Sequence, residues 1–412
     1  MAYAKGVNKV LAFGVEPSYG APSVVAGQLL RRTSSTFTLN APLIPSAEIL
    51  SSQQMRDARQ GPRSVSGTLS GQVSAGTYSA LMAALLRGGF AAVPNSGSLA
   101  DLLLNTTGGM LPPFTWNINS ASSNFITNGI KAGDFVKFSL LPTPYTGDNG
   151  VPLQVQSIVS GGASLRVFGG LGSPVLSTFP ASAQTGKVIS AAKKLIAPST
   201  GQLFPSFTFE EWYSDVGLSD LYLGCVPTQM QIQMPARGYA TMSMSFLGQN
   251  MQPEANAQFF TGASPYTTTG SMMMVGGSVQ YNGAQVTYFS SANLSVSSPV
   301  QADPMIGTNV APAVFNGTLG CSGSFTALTS STDTLTNDFM VENEVSLSFI
   351  LAELNSPTAN FISFWLPRVK LGAAAKQDSQ TAISRSFTFQ ALEAVTTANC
   401  DDTTLAIYDS AA

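Results

Sequence analysis

From Ser64 to Gln72 the chain alternates strictly. Val65, Gly67, Leu69, Gly71 and Val73 fall on one side of a period of two, and Ser66, Thr68, Ser70 and Gln72 on the other. That pattern predicts a strand with one dry and one wet face. Ser74 then reads as an N-cap, with Tyr78, Leu81, Met82 and Leu85 on one helical stripe and Gly88-Gly89 closing the helix. The plan recurs at Gly317–Ala327 (GTLGCSGSFTA), where Leu319, Cys321, Gly323, Phe325 and Ala327 alternate with small polar residues, and a weaker helical turn follows at Thr334–Met340. The chain thus reads as two copies of one β-rich module.

The remaining segments fit that reading. Strands are predicted at Lys9–Val15, Ser34–Leu39, Ser206–Trp212 and Glu344–Leu351, the last with Val345, Leu347, Phe349 and Leu351 inward. Met230, Ile232 and Met234 alternate with Gln229, Gln231 and Gln233; after a turn, Met242, Met244 and Phe246 alternate with Thr241, Ser243 and Ser245. One face of this hairpin is apolar and the other is amide and hydroxyl without charge. Phe361–Leu371 and Ile383–Ala391 echo it. Between the copies' shared strands, residues 91–205 read as an insert with hairpins at Gly129–Leu140 and Val151–Phe168, a small β-barrel. Measured from Gly-Thr-Leu the copies lie 250 residues apart (67 to 317), and from Phe246 to Phe389 they lie 143 apart. The difference, 107, approximates the insert's length. The expected division is residues 1–90 with 206–248, the insert 91–205, a linker 249–275, and a second module 276–412. Two long polar loops, 40–62 and 298–316, stand out, since such loops bind something or move.

Composition narrows the chemistry. Charged residues are 10% of the chain, against roughly 25% in an ordinary soluble protein, with 22 acids, 19 bases and a formal net charge of -3. Copies therefore repel one another weakly, and association is tolerated. There is no histidine, which removes imidazole-based nucleophile activation and imidazole metal sites. Cys225, Cys321 and Cys400 lack any C-x-x-C and read as free buried thiols. Glu210-Glu211 and Asp401-Asp402 are adjacent carboxylates pointing to opposite strand faces, expected to be solvated charge. Asp148-Asn149-Gly150 reads as a turn and Met272-Met273-Met274 as packing, so no metal or cofactor is expected. No phosphate-binding loop, basic stripe or apolar run of membrane-spanning length is present, and the short apolar run Val10–Val15 is not expected to act as a secretory leader. No enzyme is visible.

The order of three stretches resembles a known family: LNAPLIPSAEILSSQQMRDARQGPRSVSGTLSGQVSAGTYSALMAALLRG, then SFTFEEWYSDVGLSDLYLGCVPTQMQIQMPARGYATMSMSFLGQ, then NEVSLSFIL with FWLPRVKLG and SRSFTFQAL. Together they look like the major tail tube proteins of long-tailed bacteriophages, and the insert is similar to the small β-barrel that some of them carry. The resemblance implies a mainly β fold, two tail-tube-type β-sandwich modules each with a flanking helix. It implies rings stacked into a tube, and for a doubled chain a trimeric ring with pseudo-sixfold symmetry. The expected partners are further copies, a tape-measure protein in the lumen, tail terminator and distal tail proteins at the ends, and DNA in transit without specific binding. The expected location is the virion tail, assembled in the host cytoplasm, without a contractile sheath. Gln229, Gln231, Gln233, Thr241, Ser243 and Ser245 are the candidate lumen-facing residues, because an uncharged face offers no cations to hold phosphates. Glu48, Arg56, Asp57, Arg59, Arg63, Asp303 and Asn309 are the candidate ring-stacking residues. A phage fibre or receptor-binding protein is the alternative, and an enzyme acting through carboxylates alone a more distant one.

Overall fold

Alternation governs nearly every strand. The computed structural model describes residues 3–49, 51–106, 115–171, 176–255, 257–329, 334–378, 382–394 and 399–412. Two sets of strands follow one plan. The first comprises β1 (Lys9–Val15), β2 (Ser34–Asn40), β3 (Ser64–Gln72), helix α1 (Ser79–Leu85), β4 (Phe207–Tyr213), β5 (Leu218–Pro235), β6 (Thr241–Gly248) and β7 (Asn250–Ala255). The second comprises β8 (Met273–Tyr281), β9 (Phe289–Ser297), β10 (Gly320–Leu328), α2 (Leu335–Met340), β11 (Glu344–Ala352), β12 (Phe361–Asp378), β13 (Ile383–Leu392) and β14 (Ala406–Asp409). β7 lies inside the stretch expected to be linker.

β5 and β12 are each 18 residues long and serve two sheets. Their first halves pair with β4 and β7, or with β11 and β14, in an outer sheet. Their second halves pair with β6 or β13 in an inner sheet. β5 also pairs with β9, so the two inner sheets run together in the order β2-β3-β6-β5-β9-β10-β13-β12, eight antiparallel strands. Inner and outer sheets enclose one continuous core, with Leu69, Met230, Met244 and Phe246 in the first half and Leu294, Phe325, Phe349 and Phe389 in the second. Leu81, Met82 and Leu85 of α1 close its edge.

The ladders fix the internal repeat, and it differs from the sequence-based phasing. Gly67 stands opposite Phe246 and Gly323 opposite Phe389, so Gly67 corresponds to Gly323, 256 residues on, and not to Gly317. The β-bulge of β5 beside Phe246 recurs in β12 beside Phe389. Both glycines make room for an aromatic ring: a Cβ on Gly67 would lie 2.3 Å from Phe37, and one on Gly323 would lie 2.5 Å from Phe389. α1 and α2 begin 256 residues apart as well (79 to 335).

Two local expectations at α1 are also corrected. Ser74 does not cap the helix; its hydroxyl pairs with that of Thr77 at 2.6 Å. The buried carboxylate of Asp409 accepts from the Gly76 N–H (2.9 Å) and the Ser79 hydroxyl (2.8 Å), supplying the negative group that a helix start favours. At the other end it is Arg87, at φ 58°, that takes the left-handed turn; Gly88 follows it, its N–H donating to the Ala83 carbonyl.

Six strands between Ser98 and Ser190 close into a barrel with its own core, including Leu102, Trp116, Phe138 and Val167. Although it interrupts the first set of strands, it packs on the outward face of the second outer sheet. Phe135 meets Phe361 and Tyr408 there at 4.7 and 5.2 Å between ring centroids. Gln154 shares hydrogen bonds with Ser348 and Gln280. Lys194 ties the junction with ion pairs to Asp134 (2.8 Å) and Asp401 (2.7 Å). Burial pushes Asp134 up, against the pull of Lys194; burial also works to lower Lys194, but its carboxylate partners leave it raised overall.

Candidate assembly surfaces

Because side chains alternate across a strand, burying Met230, Ile232, Met242, Met244 and Phe246 dictates that Gln229, Gln231, Gln233, Thr241, Ser243 and Ser245 share the opposite face. The structure brings all six together. The face continues over the whole inner sheet, through Ser34, Thr36 and Thr38, Ser66, Thr68 and Ser70, Ser291, Asn293 and Ser295, Ser322, Ser324 and Thr326, Ser384, Ser386 and Thr388, to Ala375 and Gln377. None of these positions carries a charge. Hydrogen bonds run across the strands, from Gln229 Nε2 to Ser295 Oγ (3.1 Å), between Ser70 and Ser243 (3.2 Å), and from Asn293 Nδ2 to Ser324 Oγ (2.8 Å). The face is hollowed, with a depression of about 560 Å³ over the β5–β9 junction.

The inner sheet ends in two unpaired edges among the described residues. β2 pairs only with β3, and the Leu371–Asp378 half of β12 only with β13. Each edge is the counterpart of a strand that is paired inside the chain: β2 of β9, and β12 of β5. An exposed strand edge is a template for another chain.

The two polar loops also correspond, and each holds a short hairpin. In the first arm Leu43–Pro45 pairs with Ala58–Gln60; in the second Val300–Gln301 pairs with Phe315–Asn316. Leu43 to Val300 is 257 residues and Gln60 to Asn316 is 256. Ile49 and Ile306 hold equivalent tip positions and are both fully exposed, at 99% and 107%. Their surroundings differ. The second arm lies on the first set of strands: the Asn309 carbonyl accepts from the Arg63 N–H at 2.7 Å, Val310 bridges to Arg63, and the Ala311 carbonyl accepts from Gln249 Nε2 at 2.8 Å, leaving Ala311 buried. At its base, Arg87 donates to Ser298 Oγ (2.9 Å) and to the Gly317 carbonyl. The first arm is exposed almost throughout. Of the seven arm residues singled out from the sequence, Arg63 and Asn309 meet. Arg59 and Asp57 approach at 3.7 Å in solvent, and Glu48, Arg56 and Asp303 are exposed. Arg87, Gln249 and the tip isoleucines were missed. Their role depends on a pairing of distant segments that no local pattern encodes.

Both acidic pairs correct the expectation of solvated charge at Glu210, Glu211 and Asp401. Glu210 is fully buried and accepts from Ser219 Oγ (2.8 Å) and the N–H groups of Phe259 (2.6 Å) and Phe260 (2.9 Å), pinning the connection between the repeats. Glu211, on the opposite face, binds Lys9 and Ser35. Asp401 is buried against Lys131 and Lys194. Each carboxylate is consumed by structural partners, and no group of three or more metal-ligating side chains gathers among the described residues. Cys225, Cys321 and Cys400 are free thiols, the first two buried, with burial pushing Cys321 up to about 12. No described helix is long and apolar enough to cross a membrane.

The described residues thus form a doubled, mainly β structure with an uncharged hollow face, two unpaired inner-sheet edges and two projecting arms, and no constellation of catalytic or metal-ligating side chains gathers among them. The sequence matches the model of the family described as phage tail tube protein over residues 6–391, and the chain belongs to that family. It is a structural virion protein of the phage tail that self-assembles into the tail tube. No curated protein matches the sequence.

Proposed function

We propose that three copies close into a ring with pseudo-sixfold symmetry, the inner sheets joining into one barrel of 24 strands, three times eight. The observation that carries this reading is the β5–β9 junction. It is a worked example, inside one chain, of the contact that β12 of one copy makes with β2 of the next. Transferring its register through the repeat sets Ala373 opposite Asn40, Ala375 opposite Thr38 and Gln377 opposite Thr36, since the internal pairs are Gln229–Ser297, Gln231–Ser295 and Gln233–Asn293. The residues 1–90 with 206–248, and 276–412, then act as two equivalent sixths of the ring.

The uncharged hollow face lines the lumen, where the tape-measure protein resides before DNA passes. With no lysine or arginine along it, counterion release offers a passing duplex no grip. The inserted barrel, on the outward face, decorates the outer wall and suits a tail without a contractile sheath. The arms, with Glu48, Arg56, Asp57, Arg59, Arg63, Asp303 and Asn309, reach toward the adjoining ring, and terminator and distal tail proteins cap the stack.

The test is a cysteine pair, Thr38→Cys with Ala375→Cys. Mild oxidation of assembled tubes is expected to give covalent trimers that dissociate on reduction. Tubes that assemble yet give only monomer after oxidation overturn the register and the ring closure.

A further inference from the structure

The two arms share a plan, yet one is seated and the other is not. The second arm lies on the rim of the first repeat, with Ala311 buried beside Gln249. Counting back from the hairpin strands, Gln60 to Asn316, the counterpart of Ala311 is Met55, 256 residues earlier, a large apolar side chain 70% exposed. The counterpart of the rim is on the second repeat, at the middle of β12 and the end of β13.

The two rims differ in what covers them. On the first, the segment from Glu16 to Gly27 joins β1 to a short strand at Gln28–Leu29 and packs against Gln249 at Gly20, where a Cβ would lie 2.1 Å from the Gln249 Oε1. The Glu16 carboxylate accepts from Ser206 Oγ (2.6 Å), Thr208 Oγ1 (3.0 Å) and the Gly224 N–H (2.7 Å). On the second, the corresponding connection is the two-residue turn Asn282-Gly283 after β8. A hollow of about 480 Å³ remains there, with Val345, Pro367, Ala394 and Cys400 on one side and the bidentate Arg368–Glu344 ion pair (2.7 Å) in its wall. So the filled rim receives an alanine and the open rim faces, by symmetry, a methionine. Methionine is the side chain that best fills an irregular gap.

We infer that Met55 of each copy docks into this hollow on the second repeat of the neighbouring copy, so that the first arm is a lateral strap between subunits of one ring as well as a projection beyond it. The inference rests on the ring closure proposed above, because only β2 set beside β12 carries the arm to that rim. It divides the arm by residue: Met55 works within the ring, and Ile49, like Ile306, stays free for the adjoining ring with the charged residues of the arm.

Cys400, partly buried in the hollow's wall, supplies the reporter. The full chain carrying Met55→Cys is assembled and oxidised, beside the same chain with Cys400→Ser. The expected result is covalent joining of neighbouring copies that disappears in the Cys400→Ser control. Tubes in which the introduced thiol stays free to alkylation, or joins copies equally without Cys400, overturn the docking. Should Met55→Cys fail to assemble, Met55→Leu and Met55→Asp decide: assembly by the first alone supports the docking, and assembly by both as in the parent overturns it. A parent chain that forms neither rings nor tubes refutes the ring closure itself, a distinct outcome read by electron microscopy before any oxidation.

Discussion

The β5–β9 junction and the free edges of β12 and β2 are built from corresponding strands in two chemistries. Inside the chain, the core-facing pairs are Met230–Val296, Ile232–Leu294 and Met234–Ala292, all apolar. At the corresponding positions of the free edges stand Ala374 with Leu39 and Lys376 with Phe37, and Asp378 holds the register position of Met234. The internal junction is permanent and is built like a core. The edge stands in water in the single chain, and an exposed lysine on an edge strand discourages unregistered pairing. Under the proposed ring closure, the chain carries in one molecule both a core-like version of the contact and its water-exposed counterpart. The arms show the same contrast, one seated on its own chain and the other exposed.

The largest effect is expected from removing the waiting arm. Deleting Gln53–Gln60 leaves the monomer folded, because that segment is exposed and outside the core, and abolishes tube formation. Circular dichroism with electron microscopy checks both halves, and tubes of normal length from the deleted chain break the comparison.

A pair of swaps sharpens it. Ile232→Lys places an unpaired ammonium at a fully buried position of the internal junction and is expected to cost on the order of 3–5 kcal/mol of folding stability, measured by urea unfolding. The reciprocal change at the exposed edge, Lys376→Ile, is expected to leave monomer stability within about 0.5 kcal/mol. It should lower the concentration at which the chain assembles or aggregates, read by light scattering. Equal destabilisation by both swaps contradicts the distinction between junction and edge.

Much of this architecture was legible in the sequence, for a physical reason. A half-buried strand must alternate, so Val65 to Val73, Met230 to Met234 and Met242 to Phe246 declared their faces in the residues themselves. The phase of the repeat was not legible. The recurrence of Gly-Thr-Leu at 67 and 317 is a local identity, whereas equivalence is set by which glycine lies opposite which phenylalanine, Gly67 by Phe246 and Gly323 by Phe389. Glu210 and Glu211 misled because adjacent acids resemble solvated charge. Their partners, the Phe259 N–H and Lys9, are 49 and 202 residues away (259 less 210, 211 less 9). The seating of one arm and not the other belongs to the same class of fact, since it follows from strand pairing between distant segments.

The central claim is that the strand after β12 in the assembly is β2 of another copy. A helical reconstruction of the assembled tube by electron cryomicroscopy tests it most directly. The account predicts three chains per ring, a continuous inner wall of 24 strands, three times eight, and Thr38 facing Ala375 across each boundary between chains. Six chains per ring, or a boundary at which β2 and β12 lie apart, would contradict it.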